Sequence, residues 1–157
     1  MEYLDIYDEN KKKTGKIIVR GVKPEENEHI LLSIIFIKNS EGKYLIQKTS
    51  KEKGGHYSST GRHVGSNEDS KTTILRELKE ELGLTVNSDE IKYIGDILLG
   101  IPIADVYYLE KDINLKDLKL QKEEVSEVSY MTKDEILNLI DNENFTKSHG
   151  KILKKYF

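Results

Sequence analysis

Three glutamates at helical spacing give the first indication of chemistry in this chain. Glu77, Glu80 and Glu81 stand at positions i, i+3 and i+4, so at about 100° per residue a helix places them on one stripe. Like charges at this spacing repel by roughly a few tenths of a kcal/mol per pair, a penalty that a divalent cation reverses. Because hard cations prefer oxygen ligands, the spacing indicates a magnesium site. The alternative is an ordinary charged helix whose acids face solvent.

The same segment carries the signals of a helix that can be anchored to a core. Apolar residues recur at helical spacing beside the acidic stripe, namely Ile74, Leu75, Leu78 and Leu82. Ser70 is the expected N-terminal cap, and Gly83 stands where the helix is expected to end. The apolar stripe would therefore pack on a core and leave the acidic stripe facing a ligand.

A longer pattern surrounds this helix, and residues 61–84 read GRHVGSNEDSKTTILRELKEELGL. The segment resembles the signature of the Nudix hydrolases, which is Gly, five residues, Glu, seven residues and then Arg-Glu-apolar-x-Glu-Glu-x-Gly-apolar. The matching positions are Glu68, Arg76, Glu77, Leu78, Glu80, Glu81, Gly83 and Leu84. The first glycine is the exception, because Arg62 takes its place and Gly61 lies one residue earlier.

The resemblance implies a reaction and a set of site residues. Nudix hydrolases cleave the diphosphate linkage of nucleoside diphosphate derivatives by attack of water on phosphorus, with a divalent cation. Mg²⁺ is the expected ion, with Mn²⁺ as an alternative. The implied metal-binding groups are Glu77, Glu80, Glu81 and the carbonyl of Gly61. Glu68 and Arg76 are expected to orient that cluster through an ion pair.

The general base is less sharply indicated by the sequence. In many Nudix hydrolases it is a carboxylate of the signature helix or one on a later loop. Glu123 and Glu124 precede a predicted strand and are the later-loop candidates, with Glu124 preferred. The competing interpretation is that both are ordinary surface acids.

Two residues of the signature loop are candidates for substrate binding. Arg62 either is tolerated by the loop and contacts a phosphate, or strains a backbone position that suits glycine and weakens the site. His63 either touches a phosphate or holds the loop by a hydrogen bond. His29, His56 and His149 have no partner that the sequence identifies, and they are interpreted as surface or structural residues.

The composition sets limits on the whole chain. Its 157 residues suit one domain, in which residues 1–22 form an N-terminal hairpin extension. Hydrophobic residues make up 36% and charged residues 34%, and no run approaches membrane-spanning length. A net charge of −3 without a broad basic face argues against nucleic-acid binding. With no cysteine and no apolar segment near the start, a cytoplasmic location is expected.

The periodicity predicts strands, one central helix, more strands and final helices. The expected strands are Tyr3–Tyr7, Lys16–Arg20, Ile30–Lys38, Tyr44–Lys48, Ile91–Leu99, Ala104–Leu109 and Val125–Tyr130. The third and fourth strands are expected to pair as a hairpin, and residues 49–60 to form a loop. A capping box at Thr132 opens a helix to about Ile140, and another helix spans Lys147–Tyr156. This order predicts an α+β fold, a Nudix-like α/β/α sandwich with a mixed sheet and an N-terminal β-hairpin.

Other functions are weighed against hydrolysis. Residues 5–10, 14–16 and 39–48 resemble the Nudix subgroup related to isopentenyl diphosphate isomerases, but those isomerases use a cysteine that this chain lacks. A catalytically weak or inactive module that binds a nucleotide or metabolite is expected to have lost a helix glutamate, and none is lost. A purely structural domain would leave the acidic stripe without a role. The sequence leaves open which small-molecule nucleotide or diphosphate is bound, and whether the chain forms a homodimer.

Overall fold

A computed structural model describes residues 1–157 as a set of strands, three α-helices and two short 3₁₀ turns. The strands are β1 (Tyr3–Tyr7), β2 (Lys13–Val19), β3 (Ile30–Lys38), β4 (Tyr44–Thr49), β5 (Tyr57–Ser58), β6 (Thr60–His63), β7 (Lys92–Leu98), β8 (Pro102–Glu110) and β9 (Val125–Met131). The helices are α1 (Ser70–Leu82), α2 (Lys133–Asp141) and α3 (Lys147–Tyr156).

The main sheet has seven strands and mixed pairing, with β3 at its centre. β3 runs parallel to β8, and β6 pairs antiparallel with β3 between Leu32 and Ile35. β4 pairs antiparallel with β9 and β5. β1 and β2 form a separate antiparallel hairpin. These pairings confirm the predicted α+β fold with a mixed sheet and an N-terminal hairpin.

Helices cover both faces of this sheet because β3 is apolar on both sides. Ile35 and Ile37 belong to the core cluster of α1, whereas Ile34 and Phe36 belong to the cluster of α2 and α3. The helix side chains in these clusters that are at most 1% exposed are Ile74, Leu78, Leu82, Ile136, Ile152 and Leu153. Each fully buried aliphatic side chain contributes about 1.5–3 kcal/mol, so the helix carrying the acidic stripe is fixed to the sheet as expected.

The ends of α1 are set by local hydrogen bonds. Asp69, and not Ser70, is the N-cap, because its side chain accepts a 2.7 Å hydrogen bond from the Thr72 amide. The cap predicted at Ser70 is therefore wrong by one residue. Gly83 ends the helix as predicted, with φ of 66° and a hydrogen bond from its amide to Lys79, the left-handed conformation that glycine adopts without a Cβ clash. The capping box at Thr132 is also confirmed.

Two predicted features around β4 agree with the structure only in part. The expected hairpin of β3 and β4 is paired only at its turn, between Lys38 and Tyr44, because β6 pairs with β3 further along and β4 pairs with β9. The expected loop at residues 49–60 contains a 3₁₀ turn, β5 and the first residue of β6. This segment forms an ordered wall beside the signature loop.

The N-terminal hairpin packs against the loop that joins β6 to α1. The Ser66 amide donates to the Tyr3 carbonyl at 2.7 Å, and the Ser66 hydroxyl and the Asn67 amide donate to the Asp5 carboxylate. β2 begins at Lys13, three positions before the predicted start, because Lys13 pairs with Tyr7 across a register shift. The hairpin is therefore tied to the signature segment.

None of the helices combines the length and the apolar character that crossing a membrane requires.

Candidate active site

The acidic stripe of α1 is divided between the protein interior and solvent. Glu77 is 1% exposed and Glu81 is 5% exposed, whereas the Glu80 side chain is 50% exposed. Burial raises the pKa of Glu77, and it raises the pKa of Glu81 to about 7. Burying a charged carboxylate without a positive partner costs free energy. A cation beside Glu77 and Glu81 would therefore stabilise their charged forms.

Glu81 is held by a chain of hydrogen bonds that crosses to the sheet. The Gln47 side-chain amide donates to Glu81 Oε2 at 3.0 Å, and the Thr60 hydroxyl donates to Gln47 Oε1 at 2.8 Å. The Thr60 bond fixes which end of the Gln47 amide faces Glu81. Sequence reasoning did not identify Gln47, although a glutamine in an otherwise buried apolar strand was a usable signal.

Arg76 gathers the carboxylates along the outer side of α1. Its guanidinium lies 2.9 Å from Glu68 Oε1, 3.0 Å from Glu77 Oε1 and 3.3 Å from Glu80 Oε2. Although burial opposes it, hydrogen bonds from Thr73 and Arg76 hold the pKa of Glu68 below its ordinary value. The ion pair expected between Glu68 and Arg76 is present, and Arg76 also neutralises part of the charge of the acidic stripe.

Arg62 occupies its position without backbone strain. The residue lies in β6 and has no positive φ, so the strain considered for an arginine at a glycine position is absent. Its Nη2 is 3.4 Å from Glu2 Oε2, and its Nε is 3.6 Å from Glu77 Oε1. Arg62 Nε is the only buried side-chain nitrogen or oxygen without a hydrogen-bond partner. The guanidinium thus places positive charge beside Glu77, while its Nε–H group makes no hydrogen bond.

The carboxylates do not converge into a ready-made ligand cluster. No group of three or more acidic, histidine or cysteine side chains lies close enough to hold a metal ion, because Glu80 turns to Arg76 and the Arg62 guanidinium lies beside Glu77. The donor chemistry nevertheless fits a hard divalent cation. Glu77 and Glu81 offer buried carboxylate oxygens whose charge only two arginines offset.

A polar cavity of about 290 Å³ opens beside α1. Five of the residues predicted for the site line it: Gly61, Arg62, His63, Glu81 and Glu124. The cavity lining does not include Glu68, Arg76, Glu77 or Glu80. Its walls also contain Arg20 and His149, which the sequence did not indicate. The cavity therefore joins residues from the hairpin, β6, α1, the segment before β9 and α3.

The two later-loop acids lie on different sides of this wall. Glu124 lines the cavity with Glu81, and its charge contributes to the raised pKa of Glu81 after burial and Glu77. Lys53 Nζ lies 3.8 Å from Glu124 Oε1. Glu123 is exposed outside the cavity, and its backbone carbonyl accepts a hydrogen bond from the Ser50 hydroxyl. Of the two candidates, only Glu124 can reach a ligand in the cavity.

Two histidines, His63 and His149, line the cavity. The imidazole of His63 makes no hydrogen bond to the protein, so the loop-holding bond considered for it does not form, and burial and nearby Arg20 lower its pKa. His149 is buried and lines the cavity, and burial lowers its pKa to about 4. No spacing in the sequence relates His149 to the signature segment, because the sheet pairing brings α3 and β6 together.

Comparison with known proteins gives a consistent result. The family profile described as the NUDIX domain matches residues 29–156. An uncharacterized Nudix hydrolase of Listeria innocua is 33% identical over 162 residues, covering 100% of this chain and 91% of that protein. The crystal structure of DR0079 from Deinococcus radiodurans superposes with a TM-score of 0.84 at 20% identity, covering 99% of both chains. The NUDIX domain of Shewanella oneidensis NrtR, crystallised with ADP ribose, gives a TM-score of 0.64 at 15% identity, covering 87% of this chain and 89% of that one.

Proposed function

The chain belongs to the Nudix hydrolase family and is a hydrolase, and from that premise we propose that it cleaves the diphosphate linkage of a nucleoside diphosphate derivative. The reaction proposed is attack of water on phosphorus, with dependence on a divalent cation. One observation carries this proposal: the buried carboxylate of Glu81 lines a polar cavity that Glu124 borders from another element, and a second buried carboxylate, Glu77, lies four residues earlier on the same helix.

The metal site is proposed to use Glu77, Glu80, Glu81 and the Gly61 carbonyl, with Mg²⁺ as the ion and Mn²⁺ as a substitute. A bound divalent cation would neutralise charge on the diphosphate oxygens and lower the pKa of a water molecule. Burial raises the pKa of Glu77 and Glu81, which supports a need for positive charge beside them. Arg76 contacts Glu77 and Glu80, and its role is to keep these acids in place.

The other cavity residues are assigned to the water and the substrate. Glu124 is proposed as the general base that takes a proton from the attacking water at its carboxylate, a role worth about 10²–10⁴ in rate. Arg62 and His63 are proposed to contact phosphate oxygens, which their place in the lining of the cavity supports. Phosphoryl transfer asks for positioning and charge neutralisation more than covalent chemistry, and these side chains can supply both.

Product analysis of a substrate panel tests the proposal. The purified protein is incubated with nucleoside diphosphates and triphosphates, dinucleoside polyphosphates, nucleotide sugars and ADP-ribose, with Mg²⁺ or with a chelator. We expect Mg²⁺-dependent release of a nucleotide product, with ¹⁸O from labelled water appearing in a phosphate group. No hydrolysis of any compound, or equal turnover with the chelator, would contradict the proposal. Isopentenyl diphosphate belongs in the panel, since formation of dimethylallyl diphosphate would instead support the isomerase alternative.

Paired variants separate the site from general effects on folding. Glu81→Gln and Glu124→Gln are expected to lower kcat by about 100-fold or more, the first through loss of a proposed metal ligand and the second through loss of the proposed general base. Glu123→Gln is the matched control, because Glu123 is adjacent in sequence but exposed outside the cavity. Circular dichroism checks that each variant folds. Equal activity of the Glu124 and Glu123 variants would remove Glu124 from the mechanism while leaving the reaction itself open to the panel.

A further inference from the structure

An imidazole from the C-terminal helix packs directly on the backbone of the signature loop. A Cβ added at Gly61 would lie 2.9 Å from His149 Cε1 and 2.9 Å from Ile34 Cγ1, closer than any side-chain carbon can approach. Glycine at position 61 therefore lets the His149 ring reach the cavity wall beside β6. The ring is fixed by packing on Gly61 and on the sheet.

The protonated nitrogen of His149 follows from its single hydrogen bond. Ser59 Oγ lies 2.7 Å from His149 Nδ1, and Ser59 is 1% exposed with no other side-chain partner. If Nδ1 donated, the Ser59 hydroxyl hydrogen would be buried without an acceptor, which costs about 1–3 kcal/mol. The hydroxyl therefore donates to Nδ1, and the neutral imidazole carries its proton on Nε2.

The Nε2 atom of His149 keeps some exposed surface, and the residue lines the cavity. Nε2 has no hydrogen-bond partner in the protein. Arg62 Nε is the only fully buried side-chain nitrogen or oxygen that lacks a partner, so Nε2 itself is not fully buried. His149 lines the cavity together with Glu81 and Glu124. With its proton on Nε2, the ring presents one N–H donor to whatever enters the cavity.

We propose that His149 binds the substrate by donating a hydrogen bond from Nε2 to one of its oxygen atoms, and that Ser59 is the positioning residue that fixes this tautomer. The inference rests on the proposed function for the identity of the substrate, but the donor and its direction follow from the protein alone. The acceptor is either a phosphoryl oxygen or an oxygen of the nucleoside. Both are hydrogen-bond acceptors that the Nε2–H group can recognise.

Nuclear magnetic resonance of the histidine rings tests the proposal without any turnover. The ¹⁵N and ¹³C shifts of His149 in the intact protein should report the Nε2–H tautomer, and Ser59→Ala should shift the balance toward Nδ1–H. Mg²⁺ with methylenediphosphonate at millimolar concentration should move the Nε2 signal if the acceptor is a phosphoryl oxygen. Movement only with the α,β-methylene analogue of ADP assigns the acceptor to the nucleoside. An Nδ1–H tautomer in the unchanged protein, or no movement with either compound, overturns the proposal.

Kinetics on the best substrate of the panel provide the second test. His149→Phe retains a ring against Gly61 without the donor, and it should raise KM about tenfold with a smaller change in kcat, as expected for one lost neutral hydrogen bond. His149→Gln keeps an N–H donor near the place of Nε2 and should restore most of the lost affinity. A role in packing alone predicts that phenylalanine is tolerated better than glutamine, and that order would overturn the proposal. Failure of hydrolysis in the unchanged protein would count against the proposed function only, because the resonance test stands without it.

Discussion

The buried carboxylate of Glu81 should make the metal-free protein less stable as pH rises. Burial raises the pKa of Glu81 from its ordinary value of 4.5 to about 7, so the folded protein holds this proton more tightly than the unfolded chain does. At about 1.4 kcal/mol for each pH unit, the difference corresponds to about 3 kcal/mol. This stabilisation is fully present below pH 4.5, and it is lost as pH rises through about 7.

Glu81→Gln removes this titration while keeping an oxygen that can accept from Gln47. The difference between the two melting temperatures, variant minus unchanged protein, should therefore increase as the pH is raised from about 5 to about 8.5. For a chain of this size, about 3 kcal/mol corresponds to a change of roughly 6–12 °C in that difference. Calorimetry in a chelator provides the measurement, and comparing the two proteins at each pH cancels the titration of every other group.

Glu80→Gln is the matched control for this experiment. Glu80 precedes Glu81 on the same helix, but its side chain is 50% exposed and pairs with Arg76, an arrangement worth only about 0–1 kcal/mol. Its melting temperature should follow the unchanged protein across the pH range. A Glu81→Gln difference that stays constant with pH would refute the reasoning, since it would mean that Glu81 is already well solvated or already paired when the metal is absent.

Three further predictions concern other parts of the site. Gly61→Ala should cost about 1–3 kcal/mol of stability by overpacking and displace the His149 ring, which thermal melting and the His149 resonances can show. Asp69→Ala should lower stability by about 1 kcal/mol through loss of the N-cap of α1, and an unchanged melting temperature would contradict the capping assignment. Arg62→Gly should lower kcat/KM with the substrate identified by the panel, because the proposed phosphate contact is lost. A large gain in turnover would contradict the idea that the loop tolerates arginine.

Local sequence signals predicted the elements of this fold better than their pairing. The capping box at Thr132, the bounds of α3 and the end of α1 at Gly83 agree with the structure because each depends on residues within a few positions. The hairpin predicted for residues 30–48 is paired only at its turn, because pairing depends on which distant strands compete for the same edge. In this fold β6 pairs with β3 and β9 pairs with β4. No motif in either strand identifies its partner.

The same distinction separates the site residues that the sequence indicated from those that it did not. Spacing along one helix was enough to place Glu77 and Glu81 on one stripe, because helical periodicity is a local rule. Gln47 and His149 reach the cavity from β4 and α3, and their approach depends on the sheet order. The pair of Arg76 and Glu80 follows the same local rule, since the two residues stand at i and i+4.

The N-terminal hairpin belongs to the electrostatics of the site and not only to the fold. Glu2 accepts a 2.6 Å hydrogen bond from Arg20 and contacts Arg62 at 3.4 Å, and Arg62 in turn lies beside the buried Glu77. A glycine at position 62 would leave Glu77 with only Arg76 as a positive partner and would leave Glu2 with only Arg20. The replacement of the signature glycine thus couples the hairpin to the acidic helix through one guanidinium. A substrate phosphate that draws Arg62 away from Glu77 would remove positive charge beside that carboxylate. Glu77 would then bind a cation more tightly, so the substrate and the cation should bind cooperatively.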